Sequence, residues 1–339
     1  MASLAFISKE LGVSKATVSR AFDPRFSGMV REETKKRIFE FCREHNYHPS
    51  IIGRSFSTGK TFKIGLIAAD SDEKHFTLFS NIFFRTITES AIERNYTPIL
   101  LRPDKKSGSY LDLINCSIAD AYIVNNFKSD EKLFEILEQK KLPAIINDPY
   151  NNAACRLPTF YRDIRPAFRK LWQNLPEKYH AKTAFVWRGY VPGKWQDLQA
   201  SAPDGITVDS IQISDRQENF LFHRDSARAG TEKMLEQILK YKLLWCSSDL
   251  VALGVCDTLR ARGIVPGKDI YVVGFDNLEG NMNDFSSGGL TTIDPGWEPG
   301  GRTLVNMLLD SLYSNSPLPF RTPYFPEVIY RETFPQQKR

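Results

Sequence analysis

Six side chains close to the N-terminus have the chemistry needed to read a nucleic-acid groove. Lys15 and Arg20 can donate hydrogen bonds to guanine O6 and N7, and Ala16 can contact a thymine methyl group. Three nearby hydroxyl groups can contact phosphates, which sets the register on a duplex without reading its sequence. They belong to Ser14, Thr17 and Ser19. The set can act together only if one rigid element presents it.

Other chemistry finds little support in the sequence. The segment from Gly53 to Thr61 imitates a phosphate-binding loop, but five residues separate its glycines where the motif has four, and it precedes a strand pattern instead of following one. No nucleophile-elbow or zinc-protease motif is present, and the five cysteines include no pair at zinc-ligand spacing. We therefore expect no catalytic residues, no metal and no cofactor.

The groove-reading set requires a helix, and the surrounding pattern predicts one. Apolar residues at helical spacing predict a first helix over residues 4–11, which ends at Gly12, the residue type that most easily adopts the left-handed conformation. Ser14 is a favourable N-cap for a second helix over residues 15–22, and a third is predicted over about residues 31–43. Helix, glycine turn and capped helix are the parts of a helix-turn-helix. A plain three-helix bundle is the alternative.

Charge is concentrated in the same part of the chain. The formal net charge is +5; residues 1–60 hold eleven basic and six acidic residues, whereas residues 61–339 hold 34 of each. A basic head on a neutral body is typical of a polyanion-binding module joined to a second domain. A solvated charged surface is the alternative that charge alone leaves open.

Three blocks in the head resemble the lactose-repressor (LacI/GalR) family of bacterial regulators. They are GVSKATVSRA at residues 12–21, VREETKKRI at residues 30–38 and NYHP at residues 46–49. The resemblance implies a DNA-binding regulator that acts as a homodimer on a near-palindromic double-stranded DNA operator. It also implies a hinge helix over residues 50–60. There Phe56, with Arg54 close by, matches a family leucine that wedges between base steps in the minor groove.

The body of the chain alternates buried-strand patterns with amphipathic helices, which predicts an α/β fold with parallel sheets covered on both faces. Apolar runs lie at residues 63–69, 98–101, 121–124 and 143–146, and a second set at residues 183–187, 206–213, 243–246 and 270–275. Ligands of open α/β sheets bind at the carboxyl ends of the strands. Two sets of strands in one body therefore predict a cleft between two lobes.

Later blocks resemble the effector domain of the same family, which is built like a periplasmic sugar-binding protein. They lie at residues 249–254, 262–270, 273–276 and 290–293. We expect a helix-turn-helix domain at residues 1–49, a hinge at 50–60 and an effector-binding and dimerisation domain at 61–339. The resemblance divides that last domain into an N-lobe of about residues 61–157 and 292–320 and a C-lobe of about residues 158–291 and 321–339.

Five residues match positions that contact the effector in the family: Asn125, Asp148, Ser248, Asp276 and Trp297. Such pockets combine polar groups that hold hydroxyls with an aromatic face for stacking. Residues 161–163 replace a family Val-Asp-Asn block, and the family's pocket arginine has no clear counterpart. Candidates for its place are Trp187, Arg188, Lys194 and Trp195. Core packing, a helix cap or a turn is the alternative role for these residues.

These observations lead to one principal hypothesis and two alternatives. We expect a transcriptional repressor whose DNA affinity is set by a small molecule, a sugar or sugar derivative, bound between the lobes. A cytosolic sugar-binding protein without operator-specific DNA binding is the first alternative, and an enzyme acting on a bound sugar or nucleotide is the second. No apolar run approaches the roughly 18–20 residues of a membrane span, and the N-terminus has no secretory pattern, so we expect a cytoplasmic protein without membrane contact.

Overall fold

The computed structural model describes most of the chain in two compact units, Met1–Phe62 and Lys63–Arg339. We call them the head and the body, and each is described by itself. The described residues are 3–22, 24–47, 55, 58–68, 78–101, 109–116, 118–125, 131–148, 156–188, 193–214, 223–281, 286, 288–314 and 316–336.

Residues 3–22 and 24–47 of the head form a bundle of three short α-helices with a 3-10 helix between the second and the third. These are α1 (Leu4–Leu11), α2 (Lys15–Ala21), the 3-10 helix Pro24–Met29 and α3 (Glu32–Glu44). One apolar side chain from each α-helix is fully buried where they meet: Ile7, Val18 and Ile38. Burial of each of these aliphatic side chains contributes about 1.5–3 kcal/mol, which opposes the conformational entropy lost when the head folds.

The body contains two six-stranded sheets. The first holds β1 (Lys63–Ala68), β2 (Thr97–Leu101), β3 (Ala121–Asn125), β4 (Ala144–Asp148), β5 (Thr159–Arg162) and β11 (Arg321–Tyr324), in the order β11-β5-β4-β3-β1-β2. The second holds β6 (Thr183–Arg188), β7 (Asp209–Ser214), β8 (Leu243–Cys246), β9 (Tyr271–Phe275), β10 (Thr291–Asp294) and β12 (Glu327–Ile329), in the order β12-β10-β9-β8-β6-β7. Among the strands that the structure describes, every pairing is parallel except that of β12 with β10, which is antiparallel.

Ten α-helices connect and cover the strands among the described residues of the body. They are α4 (Leu78–Glu93), α5 (Ser109–Asn115), α6 (Glu131–Gln139), α7 (Arg165–Asn174), α8 (Lys194–Gln199), α9 (His223–Lys233), α10 (Leu235–Ile238), α11 (Asp249–Ala261), α12 (Leu278–Asn281) and α13 (Trp297–Ser314). No helix in this described part of the chain has both the length and the apolar character that crossing a bilayer requires.

Both faces of the second sheet are buried, as the continuous apolar strands predict. Along β6, Ala184 and Val186 contribute to one core cluster, whereas Phe185, between them, contributes to the cluster on the opposite face. The same alternation separates Leu244 from Trp245 on β8. Successive side chains of a strand point to opposite faces, so a strand covered on both sides must be apolar throughout.

The chain passes between the two sheets three times, and each passage lies a few residues later than expected. The first follows Arg162, the second follows Asp294 and the third follows Tyr324. The approximate lobe limits expected near residues 157, 292 and 320 lie a few residues before these passages, because β5 and β11 belong to the first sheet and β10 to the second. Both β5 and β11 are only four residues long, and β11, at the edge of its sheet, contains Pro323, which an edge strand tolerates. Neither β5 nor β11 forms the long apolar run by which a buried strand is recognised in sequence.

Candidate functional site

In the head, a glycine turn and a serine cap position helix α2. Gly12 has φ of 65°, and its backbone N–H and that of Val13 donate to the Lys9 and Ser8 carbonyls, which closes α1. Ser14 then accepts a hydrogen bond on its Oγ from the Thr17 backbone N–H at 3.0 Å. A side-chain acceptor at the N-cap satisfies a backbone donor that the helix leaves open, so the start of α2 is specified by local chemistry.

The outer face of α2 presents most of the predicted groove-reading residues. Val18 and Ala21 point into the core, while Lys15, Ala16 and Arg20 are exposed. Neither the Lys15 ammonium nor the Arg20 guanidinium has an ion-pair or hydrogen-bond partner among the described residues. Both cations therefore stand ready for an external anion or base edge.

The three hydroxyls of this segment differ in what they can still do. Ser14 is used as the cap, and its Oγ lies 2.9 Å from the Thr17 Oγ1, so these two groups already bond to one another. Ser19 is exposed and has no side-chain partner in the described part of the head. Arg54 and Phe56 lie outside the described residues, and their minor-groove role stays a prediction.

In the body, the carboxyl ends of three neighbouring strands bring together a row of polar side chains. Asn125 and Asn147 are paired in register on β3 and β4, and the Asn147 Nδ2 donates to the Asn125 Oδ1 at 2.7 Å. Arg162, at the end of β5, donates from Nη1 to the Asn147 Oδ1 at 3.0 Å. Asp148 ends β4 beside this row and is buried. We call Asn125, Asn147 and Arg162 the amide row.

Arg162 also links the two sheets. Its Nε donates to the Pro295 carbonyl at 3.0 Å, directly after β10, and its guanidinium lies over the Trp297 ring, 4.4 Å from the ring centre. Only 3% of Arg162 is exposed, and burial lowers its pKa to about 10, against smaller opposing effects of Tyr324 and Asp294. The carboxyl ends of the two sheets therefore meet at Arg162, which places Trp297 at the same edge as Asn125.

The facing edge of the second sheet carries Asp276. It follows β9 with φ of 118°, a conformation that L-residues rarely adopt, and it is buried. Its carboxylate has no hydrogen-bond partner among the described residues, and burial raises its pKa well above the ordinary range, while the nearby Lys194 acts in the opposite direction. Backbone strain and a buried acid with a perturbed pKa are features that cluster at functional sites.

Asp249 and Ser248 hold this edge together. The Asp249 Oδ1 accepts from the Thr292 hydroxyl at 2.6 Å, and its Oδ2 accepts from the Leu278 backbone N–H at 2.8 Å. Ser248 is the N-cap of α11, where its Oγ accepts from the Val251 N–H at 3.3 Å. Ser248 therefore lies at the edge where the pocket is expected, with its oxygen already used as a cap.

The four candidates for the missing pocket arginine divide into two pairs. Trp187 donates from Nε1 to the Ser210 Oγ, and Trp195 donates from Nε1 to the Val208 carbonyl, so both indoles are engaged at the β6–β7 side of the second sheet. Arg188 is buried at the end of β6. Lys194 begins α8 and donates from Nζ to the Ser247 carbonyl at 2.9 Å. Arg188 and Lys194 are the cations at the carboxyl edge.

Sequence reasoning missed two members of the site, Asn147 and Arg162. Asn147 precedes Asp148 inside an otherwise apolar strand, and a buried polar residue in that position requires a partner. Arg162 ends a four-residue strand that was not recognised as one. One sequence feature does point to Arg162: at residues 161–163, where the family has Val-Asp-Asn, this chain has an arginine in place of the aspartate.

Comparison with protein families and with curated relatives covers both units. Residues 5–50 match the model for bacterial regulatory proteins of the lacI family, and residues 214–334 match the periplasmic binding protein-like domain. The HTH-type transcriptional repressor PurR of Erwinia tasmaniensis is 25% identical over 346 residues, which cover 98% of this chain and 97% of the relative. The protein of the same name from Yersinia pestis is 25% identical over 344 residues, with the same two coverages.

Solved structures share the whole fold. The Lac repressor dimer bound to operator and the anti-inducer ONPF has a TM-score of 0.68 at 17% identity, with 98% of this chain and 99% of that chain covered. The complex of the transcriptional regulator CelR with cellobiose has a TM-score of 0.61 at 19% identity, with 98% and 100% covered. These similarities confirm the expected fold class: an N-terminal helix-turn-helix followed by a two-lobed α/β body.

Proposed function

Because the chain belongs to the lactose-repressor (LacI/GalR) family of bacterial transcriptional regulators, we propose that it is a sequence-specific DNA-binding repressor controlled by a small molecule bound between the two lobes of its body. The observation that carries this proposal is the exposed face of α2. Its cations lack partners in the described residues, and its helix is fixed by Gly12 and a Ser14 cap. A rigid helix with unpaired basic side chains and a small residue between them suits a major groove.

The proposal includes the partners. A homodimer would place two α2 helices on a near-palindromic operator, since a two-fold protein requires a two-fold site. The small molecule would be a carbohydrate, as in the CelR complex with cellobiose and in the lacI-family regulator of Enterococcus faecalis with bound ribose. Its contacts would come from Asn125, Asp148, Ser248, Asp276 and Trp297. The proposed domains are residues 1–49, a hinge at 50–60 and residues 61–339, and the proposed location is the cytoplasm.

The coupling between cleft and operator follows from where the cleft lies. Residues from both sheets line it, so a ligand that contacts both lobes favours one lobe arrangement over another. In a dimer, that change would alter the spacing of the two hinges and so the affinity for DNA. Coupling free energies of this kind are typically about 1–3 kcal/mol. We propose no catalytic role, since the relatives are repressors and the cleft residues described above form no nucleophile–base pair.

Selection of operator sequences from a random duplex pool tests the proposal with the full-length chain. We expect enrichment of a near-palindromic site, bound with a steep salt dependence, because each neutralised phosphate adds about −0.9 to the slope of log affinity against log salt. An absence of enriched sequences together with a slope near zero would support the alternative, a sugar-binding protein without operator-specific DNA binding.

A further inference from the structure

The positive charge of Arg162 is buried without a carboxylate in contact. All its partners are neutral: the Asn147 Oδ1, the Pro295 carbonyl and the Trp297 ring. Its Nη2 has no hydrogen-bond partner among the described residues. A buried charge normally pairs with an opposite charge, since desolvation of an isolated ion costs several kcal/mol. No carboxylate pairs directly with the guanidinium, although Asp294 acts on it from a distance and opposes the fall in its pKa.

Two acids of the same part of the body, Asp294 and Asp148, form no hydrogen bond or ion pair with Arg162. Asp294 uses both its oxygens elsewhere, accepting from the Gly296 backbone N–H at 2.7 Å and from the Asn277 Nδ2 at 2.7 Å. Asp148 lies one residue beyond Asn147 on β4, and none of the Arg162 hydrogen bonds or ion pairs reaches it. Asp294 therefore balances the charge of Arg162 only in part and from a distance, and no described acid pairs with the guanidinium directly.

Arg162 also sets the direction of every hydrogen bond in the amide row. An arginine has only donors, so Asn147 must turn its Oδ1 toward the guanidinium. The Nδ2 of Asn147 then faces Asn125, and the Asn125 Oδ1 must accept it. The orientation of both amides follows from one donor-only side chain. Asn125 is left with its two Nδ2 hydrogens to offer at the end of β3.

An acid in place of Arg162 would reverse the row. A carboxylate accepts only, so Asn147 would turn its Nδ2 to it and its Oδ1 to Asn125. Asn125 would then present an oxygen to the cleft. The identity of residue 162 thus decides whether Asn125, at the end of β3, offers a donor or an acceptor to the cleft. The effect passes from residue 162 to Asn125 through the side chain of Asn147.

We propose that the cleft ligand carries an oxyanion, a carboxylate or a phosphate ester, which accepts hydrogen bonds from the Asn125 Nδ2 and balances the charge of Arg162. This inference rests on the proposed function and names the chemical class of its effector: an acidic sugar derivative in preference to the neutral sugar. Arg162 acts as a positioning residue: its hydrogen bond to Asn147 sets the orientation of Asn125, and its charge attracts the oxyanion. Trp297, stacked on the guanidinium, holds it in place.

The test measures the selectivity of the full-length chain between matched ligands. The first probes are glucose, glucuronate and glucose 6-phosphate, and the second are ribose and ribose 5-phosphate. Acetate and inorganic phosphate test the two anions alone. Binding of each probe is measured by the shift in Tm and by calorimetry. We expect an acidic member to bind at least about tenfold more tightly than its neutral parent, the range of a charge-assisted hydrogen bond. The carboxylate and phosphate arms identify which oxyanion is preferred.

Three variants separate a chemical role from a structural one. Arg162→Gln removes the charge, and Asn147→Asp keeps the Arg162 contact but makes residue 147 accept from both sides, which turns Asn125 around. Both are expected to remove the preference for the acidic ligand. Arg165→Gln is the matched control, because that arginine lies in the same segment but pairs with Asp163 through two hydrogen bonds of 2.7 Å. Its selectivity should equal that of the unaltered chain.

The outcomes distinguish this inference from the proposed function. Tighter binding of a neutral sugar than of its acidic counterpart overturns the oxyanion and leaves the repressor proposal standing. An acidic preference that survives in both Arg162→Gln and Asn147→Asp also overturns it, as does the absence of any shift with all the acids and both ions. Failure of the repressor proposal would instead appear in the operator selection, whatever the cleft binds. If Arg162→Gln does not fold, Asn147→Asp decides the question.

Discussion

The Nζ of Lys194 lies 3.7 Å from the centre of the Phe275 ring, and the next residue along the chain is Asp276. A half-buried ammonium thus approaches an aromatic face and an acid at one edge of the second sheet. Burial lowers the pKa of Lys194, and the nearby carboxylates of Asp276 and Asp249 oppose that shift. Lys194 and Asp276 therefore attract one another electrostatically, while the Asp276 carboxylate accepts no hydrogen bond from the described residues. Such a carboxylate can accept hydrogen bonds from a polar ligand.

Replacement of Asp276 by asparagine tests that arrangement. Burial raises the pKa of Asp276, so its charge opposes folding, and Asp276→Asn should leave the Tm of the ligand-free chain unchanged or higher. The same variant should lose the stabilisation given by a cleft ligand, about 2.7 kcal/mol when the ligand is at 100 times its Kd. Thermal shift with and without ligand measures both effects.

Asp204→Asn is the control for this measurement, since Asp204 is exposed and lies away from the carboxyl edge of the sheet. Its ligand response should match that of the unaltered chain. Full retention of the ligand-induced shift in Asp276→Asn would show that Asp276 does not contact the ligand.

The raised pKa of Asp249 predicts that this group lowers the free energy of unfolding as pH rises. Burial raises its pKa from 3.8 to about 6, so the folded chain binds a proton more tightly than the unfolded chain does. Between about pH 4 and 6 the contribution of Asp249 to the free energy of unfolding should therefore fall as pH increases, by about 3 kcal/mol in total. Below pH 4 both states are protonated and the penalty is absent.

The measurement is urea unfolding of the chain and of Asp249→Asn at several pH values from 4 to 7. The asparagine cannot ionise, so the difference in unfolding free energy between the two proteins isolates this group, and we expect that difference to change from pH 4 to about 6 and to level off toward pH 7. A difference that stays constant from pH 4 to 7 would contradict the raised pKa.

Much of the head could be predicted from its sequence, because its signals are local. Gly12 ends α1 and Ser14 caps α2, as their residue types predict, and the structure starts and ends these helices within one residue of the expected bounds. In the body, the apolar runs identify the central strands. The short strands β5 and β11 are stabilised by pairing with each other and, for β5, also with β4, and no local sequence pattern records such pairing.

The cleft was less predictable, because its chemistry depends on contacts between distant strands. The positions of Asn125 and Asp276 at strand ends follow from the resemblance, but the partner that orients Asn125 lies on the next strand. Arg162 reaches Pro295 across 133 positions of sequence. Ser248 illustrates the opposite case, since a serine before a helix is as well suited to a cap as to a ligand, and the structure uses it as a cap.

Because Ser14 caps α2, we expect Ser14→Ala to destabilise that helix. The Ser14 Oγ accepts the Thr17 N–H, and loss of an N-cap acceptor typically costs about 1 kcal/mol. Hydrogen exchange of the α2 amides, followed by mass spectrometry on the full chain, should accelerate about fivefold. Ser19→Ala removes a hydroxyl from the same helix without removing a cap, and its exchange should be unchanged. Equal acceleration in the two variants would show that the cap does not stabilise α2.

Arg20 is expected to read a base and not only a phosphate. Its guanidinium is exposed on α2 and has no partner within the described head, so it can approach a guanine edge with two donors. Arg20→Ala should weaken binding to the selected operator by about 1–3 kcal/mol and broaden the base preference at one position in each half-site. Arg43→Ala removes the same charge from α3, where the side chain is also exposed, and should weaken operator and random duplexes equally. If Arg20→Ala also weakens both duplexes equally, Arg20 contacts a phosphate, and the base-reading role would pass to Lys15.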